Sequence, residues 1–142
     1  MLQGSVGSIA NTCKLADNGL DRDVAVIAPE QIVGAFSVLI DSAPHLHFLA
    51  SAAKLDELRM NLGENLPNVV LVYLVQENVL ESEWVDYEVI KQLKKTWTDA
   101  FCISIVKYAS QAEKAKEAGA DIALVDGANA ERILAAIEGK SP

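Results

Sequence analysis

Apolar positions along this chain fall into two kinds of pattern: short unbroken aliphatic runs, and longer stretches in which they recur every three or four residues. The densest run is Pro67 to Leu74, PNVVLVYL, where Val69, Val70, Leu71, Val72 and Leu74 are all aliphatic. A β-branched run without polar alternation, bounded by Pro67 and Asn68, predicts a strand covered on both faces, hence one in the middle of a sheet. Tyr73 is the polar side chain near its exit. Four shorter runs predict further strands: VAVIA after Asp23, ending at Pro29; His45 to Ala50; Phe101 to Val106; and Ile122 to Val125.

Helical spacing occupies the intervals. Ile32, Val33, Phe36, Leu39 and Ile40 line one side of a first helix, which Asp41-Ser42-Ala43-Pro44 ends. Leu55, Leu58 and Leu62 mark a second, stopped by Gly63 in the C-cap position. Gln76 to Ser82 reads as a polar loop, and Trp84 to Trp97 as a third helix with Ile90, Leu93 and Trp97 on one stripe. Ser110 followed by Glu113 has the form of a capping box and opens a fourth helix that stops at Gly119. Ala130, Ile133, Leu134 and Ile137 give the last helix its apolar face, and Gly139 to Pro142 is a tail. Residues 1–22, with scattered Gly and Ser and no sustained period, read as a flexible leader; residues 23–140 form the domain.

Strand and helix alternate five times. Strict alternation with short links requires parallel strands joined by crossover helices. The expected fold is a three-layer, flavodoxin-like (βα)5 α/β sandwich with a parallel five-stranded sheet of order 2-1-3-4-5, since a closed (β/α)8 barrel needs about 250 residues. The third strand is then central, as its composition already indicates.

Composition narrows the function classes. A chain of 142 residues that is 51% hydrophobic can bury a core without staples, so neither a disulfide nor a structural metal is called for. The net charge of -8, from 20 acidic and 12 basic residues, opposes a nucleic-acid groove or an anionic membrane as partner, because both reward clustered cations. Cys13 and Cys102 are expected as free thiols, Cys102 as a small hydrophobe inside FCISIV. MLQGSVGSIANTCKL has no signal-peptide form and no window matches a membrane span, so a cytoplasmic location is expected.

Three stretches carry a resemblance: PNVVLVYL, WVDYEVIKQLKKTWTDAFCISIV and EAGADIALVDGANAERILAAIEG. From Asp23 to Lys140 the chain resembles the receiver (CheY-like) domain of bacterial response regulators. The Ala-Gly-Ala-Asp stretch at the end of the fourth helix, followed by a short apolar strand, is the most specific part. The resemblance implies two-component, phosphorelay signalling: a phosphoryl group taken from a histidine kinase by an aspartate ending the third strand, Mg2+ held by that aspartate and an acidic pair after the first strand, and a Ser or Thr and a Lys that sense the modification.

This sequence departs from that pattern at each of those positions. The phosphoacceptor position falls on Tyr73. A phenol that ionises only near about pH 10 is a poor nucleophile toward phosphohistidine, and neutral it is a poor ligand for a hard cation. The acidic pair falls on Pro29 and Glu30, leaving one carboxylate. The Ser/Thr position falls on Val106, or on Ser104 with another gap, and the Lys position on Asp126, where a carboxylate would repel a phosphoryl group. Gly127 replaces the proline that often follows. Together these changes point to a pseudo-receiver: a non-enzymatic docking module with no cofactor and no metal. Its expected contacts, with a signalling protein or a second copy, run through the fourth helix, fifth strand and fifth helix, with Tyr108, Ala128 and Arg132 as candidates. Glu77 is the alternative acceptor.

Other constellations read more simply. His45 and His47 share a strand face without a third His or a nearby Cys, Trp84 and Trp97 read as core caps of one helix, and Lys91, Lys94 and Lys95 as a solvated face. Ala28-Pro29-Glu30 lacks the glycines of a nucleotide loop. The competing function is a small-ligand or phosphotransfer domain with Tyr73, Asp126 and Glu30 around a pocket at the strand ends. A cobalamin module would need a histidine after the first strand, and a cysteine phosphotransfer unit a thiol where Ala28 stands.

Overall fold

Val69, Val70, Leu71 and Val72 have no solvent-exposed surface, as expected for a strand with neighbours on both edges and helices on both faces. The structure, a computed structural model, describes residues 21–75, 85–127 and 129–138. Their order is β1 (Arg22–Ile27), α1 (Glu30–Asp41), β2 (Leu46–Ala52), α2 (Leu55–Leu62), β3 (Val69–Tyr73), α3 (Glu88–Thr96), β4 (Phe101–Val106), α4 (Ala109–Ala118), β5 (Ile122–Val125) and α5 (Ala130–Ile137). All strand pairs are parallel and the sheet runs β2-β1-β3-β4-β5, the order expected from the alternation.

Side-chain alternation along the strands divides the core in two. Val24, Val26, Val69, Leu71, Ile103 and Ile105 face α1 and α5, meeting Phe36, Ile40 and Ile137. Ala25, Ile27, Val70, Val72, Cys102 and Val106 face α2, α3 and α4, meeting Leu58, Leu62, Ile90, Leu93 and Ala115. α2 and α3 bury the stripes that their spacing marked out; α1 buries Phe36 and Ile40 fully and Ile32, Val33 and Leu39 in part, and α5 buries Ile137 fully and Ile133 and Leu134 in part, while Ala130 is exposed. β2 carries one extra residue relative to β1, where the register shifts between Val24 paired with Phe48 and Ala25 paired with Ala50.

Some boundaries differ from expectation, each for a local reason. β1 begins at Arg22, inside the expected leader, because its N–H donates to His45 O at 2.9 Å. β2 continues to Ala52, whose carbonyl accepts from Ala28 N at 3.0 Å. α3 starts at Glu88 rather than Trp84: the Asp86 carboxylate accepts the Glu88 N–H at 2.9 Å, a turn that competes with an earlier helical start. Trp97 is buried at the end of α3, as expected, and Trp84 lies outside the described residues.

α4 is capped otherwise than Ser110 and Glu113 suggest. It starts at Ala109, and Gln111, itself buried, turns its Oε1 back to accept from Lys107 N at 3.1 Å and Tyr108 N at 3.0 Å. The Asp of Ala-Gly-Ala-Asp has a structural task. Asp121 Oδ2 accepts from Cys102 N at 2.8 Å and from Lys94 Nζ at 3.0 Å, while Lys94 also donates to Ala100 O, so α3 is tied to the start of β4 and β5. Lys94 is thus not part of a merely solvated face, whereas Lys91 and Lys95 are exposed.

Candidate functional site

Parallel pairing places the strand ends side by side along the carboxyl edge of the sheet. Ile27 pairs with Val72, so Ala28 and Pro29 leave β1 beside Tyr73; Tyr73 pairs with Ile105, and Val106 with Val125. Tyr73, expected at the phosphoacceptor position, thus stands at the centre of that edge, Pro29 and Glu30 to one side, Val106 and Asp126 to the other. Neighbouring strands are about 4.8 Å apart, so Asp126 is two strand spacings, on the order of 10 Å, from Tyr73.

Tyr73 is half-buried, and its ring meets Phe36 of α1 edge-on, with centroids 5.9 Å apart and planes at 65°. The phenol therefore leans onto the α1 side of the sheet, where an aromatic pair holds it. Pro29 caps α1 through its carbonyl, which accepts from Ile32 N at 2.9 Å and Val33 N at 3.1 Å. Glu30, exposed in the first turn, places its charge where the helix dipole favours it. The two residues expected at the acidic-pair position are thus both engaged in starting a helix.

Val106, one of the switch candidates, does not share the face of the sheet on which the Tyr73 ring packs. Val106 and Ser104 are both fully buried on the opposite face, toward α2, α3 and α4, and Ser104 Oγ has no hydrogen-bond partner among the described residues. The N–H of Asp126 donates to Val106 O at 2.6 Å, its carboxylate lies in an exposed residue, and Gly127 makes the turn that follows with φ +98°. Lys107, one residue past β4, has its Nζ 5.5 Å from the centre of the Tyr108 ring. Its adjacency to Tyr108 is a weak sequence signal, since the contact depends on how β4 turns into α4.

The cleft that Tyr73 borders is not the one expected. It has a volume of about 460 Å3, and its lining comes from Ile27, Val72 and Leu74 at the strand ends and from residues of α2 and α3, not from Glu30 and Asp126. Lys54, Asp56, Asp86, Glu88 and Gln92 supply its polar groups. These residues lie some thirty positions apart in sequence and meet only because α2 and α3 flank β3.

Of the contact candidates, Tyr108 is the N-cap residue of α4, Arg132 is exposed on α5, and Ala128 lies outside the described residues, as do Glu77 and Cys13. Arg132 N donates to the Asn129 side chain, which caps α5. His45 and His47 lie at the opposite, amino edge of the sheet, where Asp21 stands between them, 3.6 Å from His45 Nδ1 and 3.7 Å from His47 Nε2. Among the described residues no group of three or more His, Cys, Asp and Glu side chains is arranged to hold a metal ion, and no helix is long and apolar enough to cross a membrane.

Comparison with solved structures gives the fold a name. The chain is similar to the BeF3-activated receiver domain of DrrB, of Thermotoga maritima (TM-score 0.63, 19% identity, 84% of this chain and 97% of that one). It is similar also to the isolated receiver domain of RcsB from Salmonella enterica with phosphomimetic BeF3− (TM-score 0.67, 10% identity, 86% and 92%). A CheY-like receiver domain protein from Methanospirillum hungatei matches with TM-score 0.63 and 17% identity over 84% and 92%. No protein-family model and no curated relative matches the chain. At these identities the likeness establishes that the chain has the receiver, flavodoxin-like fold.

Proposed function

We propose that this chain is a pseudo-receiver: a signalling module of a two-component pathway that works by protein contact and without phosphorylation. One observation carries the reading. The central strand ends in Tyr73, whose ring is packed edge-on against Phe36 where a receiver needs an accessible carboxylate. The flanking positions support it, since Glu30 is a lone acid at a helix start and Asp126 offers negative charge in place of a lysine. What the fold retains is a surface. Val125, 39% exposed on the edge strand β5, sits between α4 and α5 and offers, with Tyr108 and Arg132, a place for a signalling protein or a second copy of the chain. The module acts in the cytoplasm and catalyses no reaction of its own.

Incubation with acetyl phosphate and Mg2+, read by intact mass, tests this. The expected result is no stoichiometric phosphoryl adduct. An adduct mapped to Tyr73, Asp126 or any other residue of the carboxyl edge, or to Glu77, would overturn the proposal.

A further inference from the structure

The cleft between α2 and α3 has a chemical character of its own. Its floor is apolar, with buried Ile27 and Val72 and partly buried Leu55, Leu74 and Val89. Its rim is charged: among the described residues, exposed Asp56, Asp86 and Glu88 stand against one ammonium, Lys54. At about 460 Å3 it is large enough for one or two side chains of a partner.

Two helix amino termini open beside this cleft, a feature that by itself invites anions. Here that invitation is already answered. Asp56 and Glu57 occupy the first turn of α2, Glu88 the first turn of α3, and the Glu88 N–H is held by Asp86. An anionic ligand would meet three carboxylates. A cation on an aliphatic stem meets none of these penalties: its stem covers the apolar floor while its head stays among the carboxylates, and an arginine fork matches carboxylate geometry best. The chain's net charge of -8 draws such a segment toward it.

We propose that this cleft docks a basic segment of a protein partner through an arginine or lysine side chain. Naming that partner as a signalling protein rests on the proposed function above; the preference of the cleft for a cation does not, and is measured separately. The 15N-labelled full chain is titrated at low ionic strength with the peptide Ac-Leu-Arg-Leu-Arg-NH2, and in parallel with Ac-Leu-Glu-Leu-Glu-NH2 and with inorganic phosphate. The arginine peptide should produce saturable amide shifts confined to Leu55, Val72, Leu74, Val89 and their neighbours. The triple variant Asp56→Asn/Asp86→Asn/Glu88→Gln keeps acceptor oxygens for the Glu88 N–H and the Gln92 side chain, so α3 should persist. It should bind about fivefold or more weakly. Lys54→Glu should bind more tightly. Shifts that do not saturate, that spread over the acidic surface or that survive the triple variant overturn the proposal, as does saturable binding of phosphate or of the glutamate peptide. A phosphoryl adduct in the acetyl phosphate experiment would remove the pseudo-receiver reading and leave this peptide result intact.

Discussion

Tyr73 fits its strand better than an aspartate would. Four of the five residues of β3 are buried, and the fifth continues the packing by resting its ring on Phe36. Tyr73→Asp should therefore destabilise the fold by about 1–3 kcal/mol in urea denaturation, through the lost aromatic pair and a carboxylate in a half-buried place. The same variant should remain unmodified by acetyl phosphate, because Asp126 and a lone Glu30 do not recreate a metal site. Ser104 is the converse case: a hydroxyl buried in β4 without a partner among the described residues. Ser104→Ala should be neutral or stabilising by up to about 1 kcal/mol, as removing an unsatisfied polar group should be. Asp121 serves two donors at once, so Asp121→Ala should cost about 1–3 kcal/mol, and Asp121→Asn, which retains an acceptor for the Cys102 N–H, distinctly less.

Among the elements, those read most directly from the sequence were the ones whose pattern has a single physical meaning. An unbroken Val/Leu run between turn residues can only be covered on both faces, and Phe36 with Ile40 or Ile90 with Leu93 share one face of a helix. Ends were less legible because they depend on single hydrogen bonds. Asp86 delays α3 by binding the Glu88 N–H, and Gln111, not Ser110 with Glu113, caps α4. Gln111→Ala should leave the Lys107 and Tyr108 N–H groups without their acceptor and lower stability by about 1–2 kcal/mol. β4 also holds a titratable group in an apolar wall: burial, against a smaller opposing effect of Lys94, pushes the Cys102 thiol from 9.0 up to about 12. The folded state holds this proton more tightly than the unfolded chain, so the stability it contributes is present below about pH 9 and is lost as pH rises toward 12. Denaturation across that range should show a fall in stability that is smaller in Cys102→Ala.

At the scale of the whole molecule, alternation of strand and helix decided the sheet order, and the order decided which residues meet at the carboxyl edge. That Tyr73 ends the central strand could be reached from spacing; setting Glu30 and Asp126 on either side of it took the resemblance to receiver domains as well. The acidic cleft could not, because Lys54, Asp56, Asp86 and Glu88 carry no common motif and converge only when α2 and α3 pack beside β3. The charge balance does show in composition, and the same excess of carboxylates that opposes nucleic acid favours a basic protein partner. The central claim is that the receiver fold is kept here while its phosphoryl pocket is gone. It is tested most directly by titrating the 15N-labelled chain with Mg2+ and then BeF3−, following the amides of Ala28, Tyr73, Val106 and Asp126. The account predicts no saturable shift at these positions at millimolar concentrations; saturable shifts centred on Tyr73 and the ends of β1, β4 and β5 would contradict it.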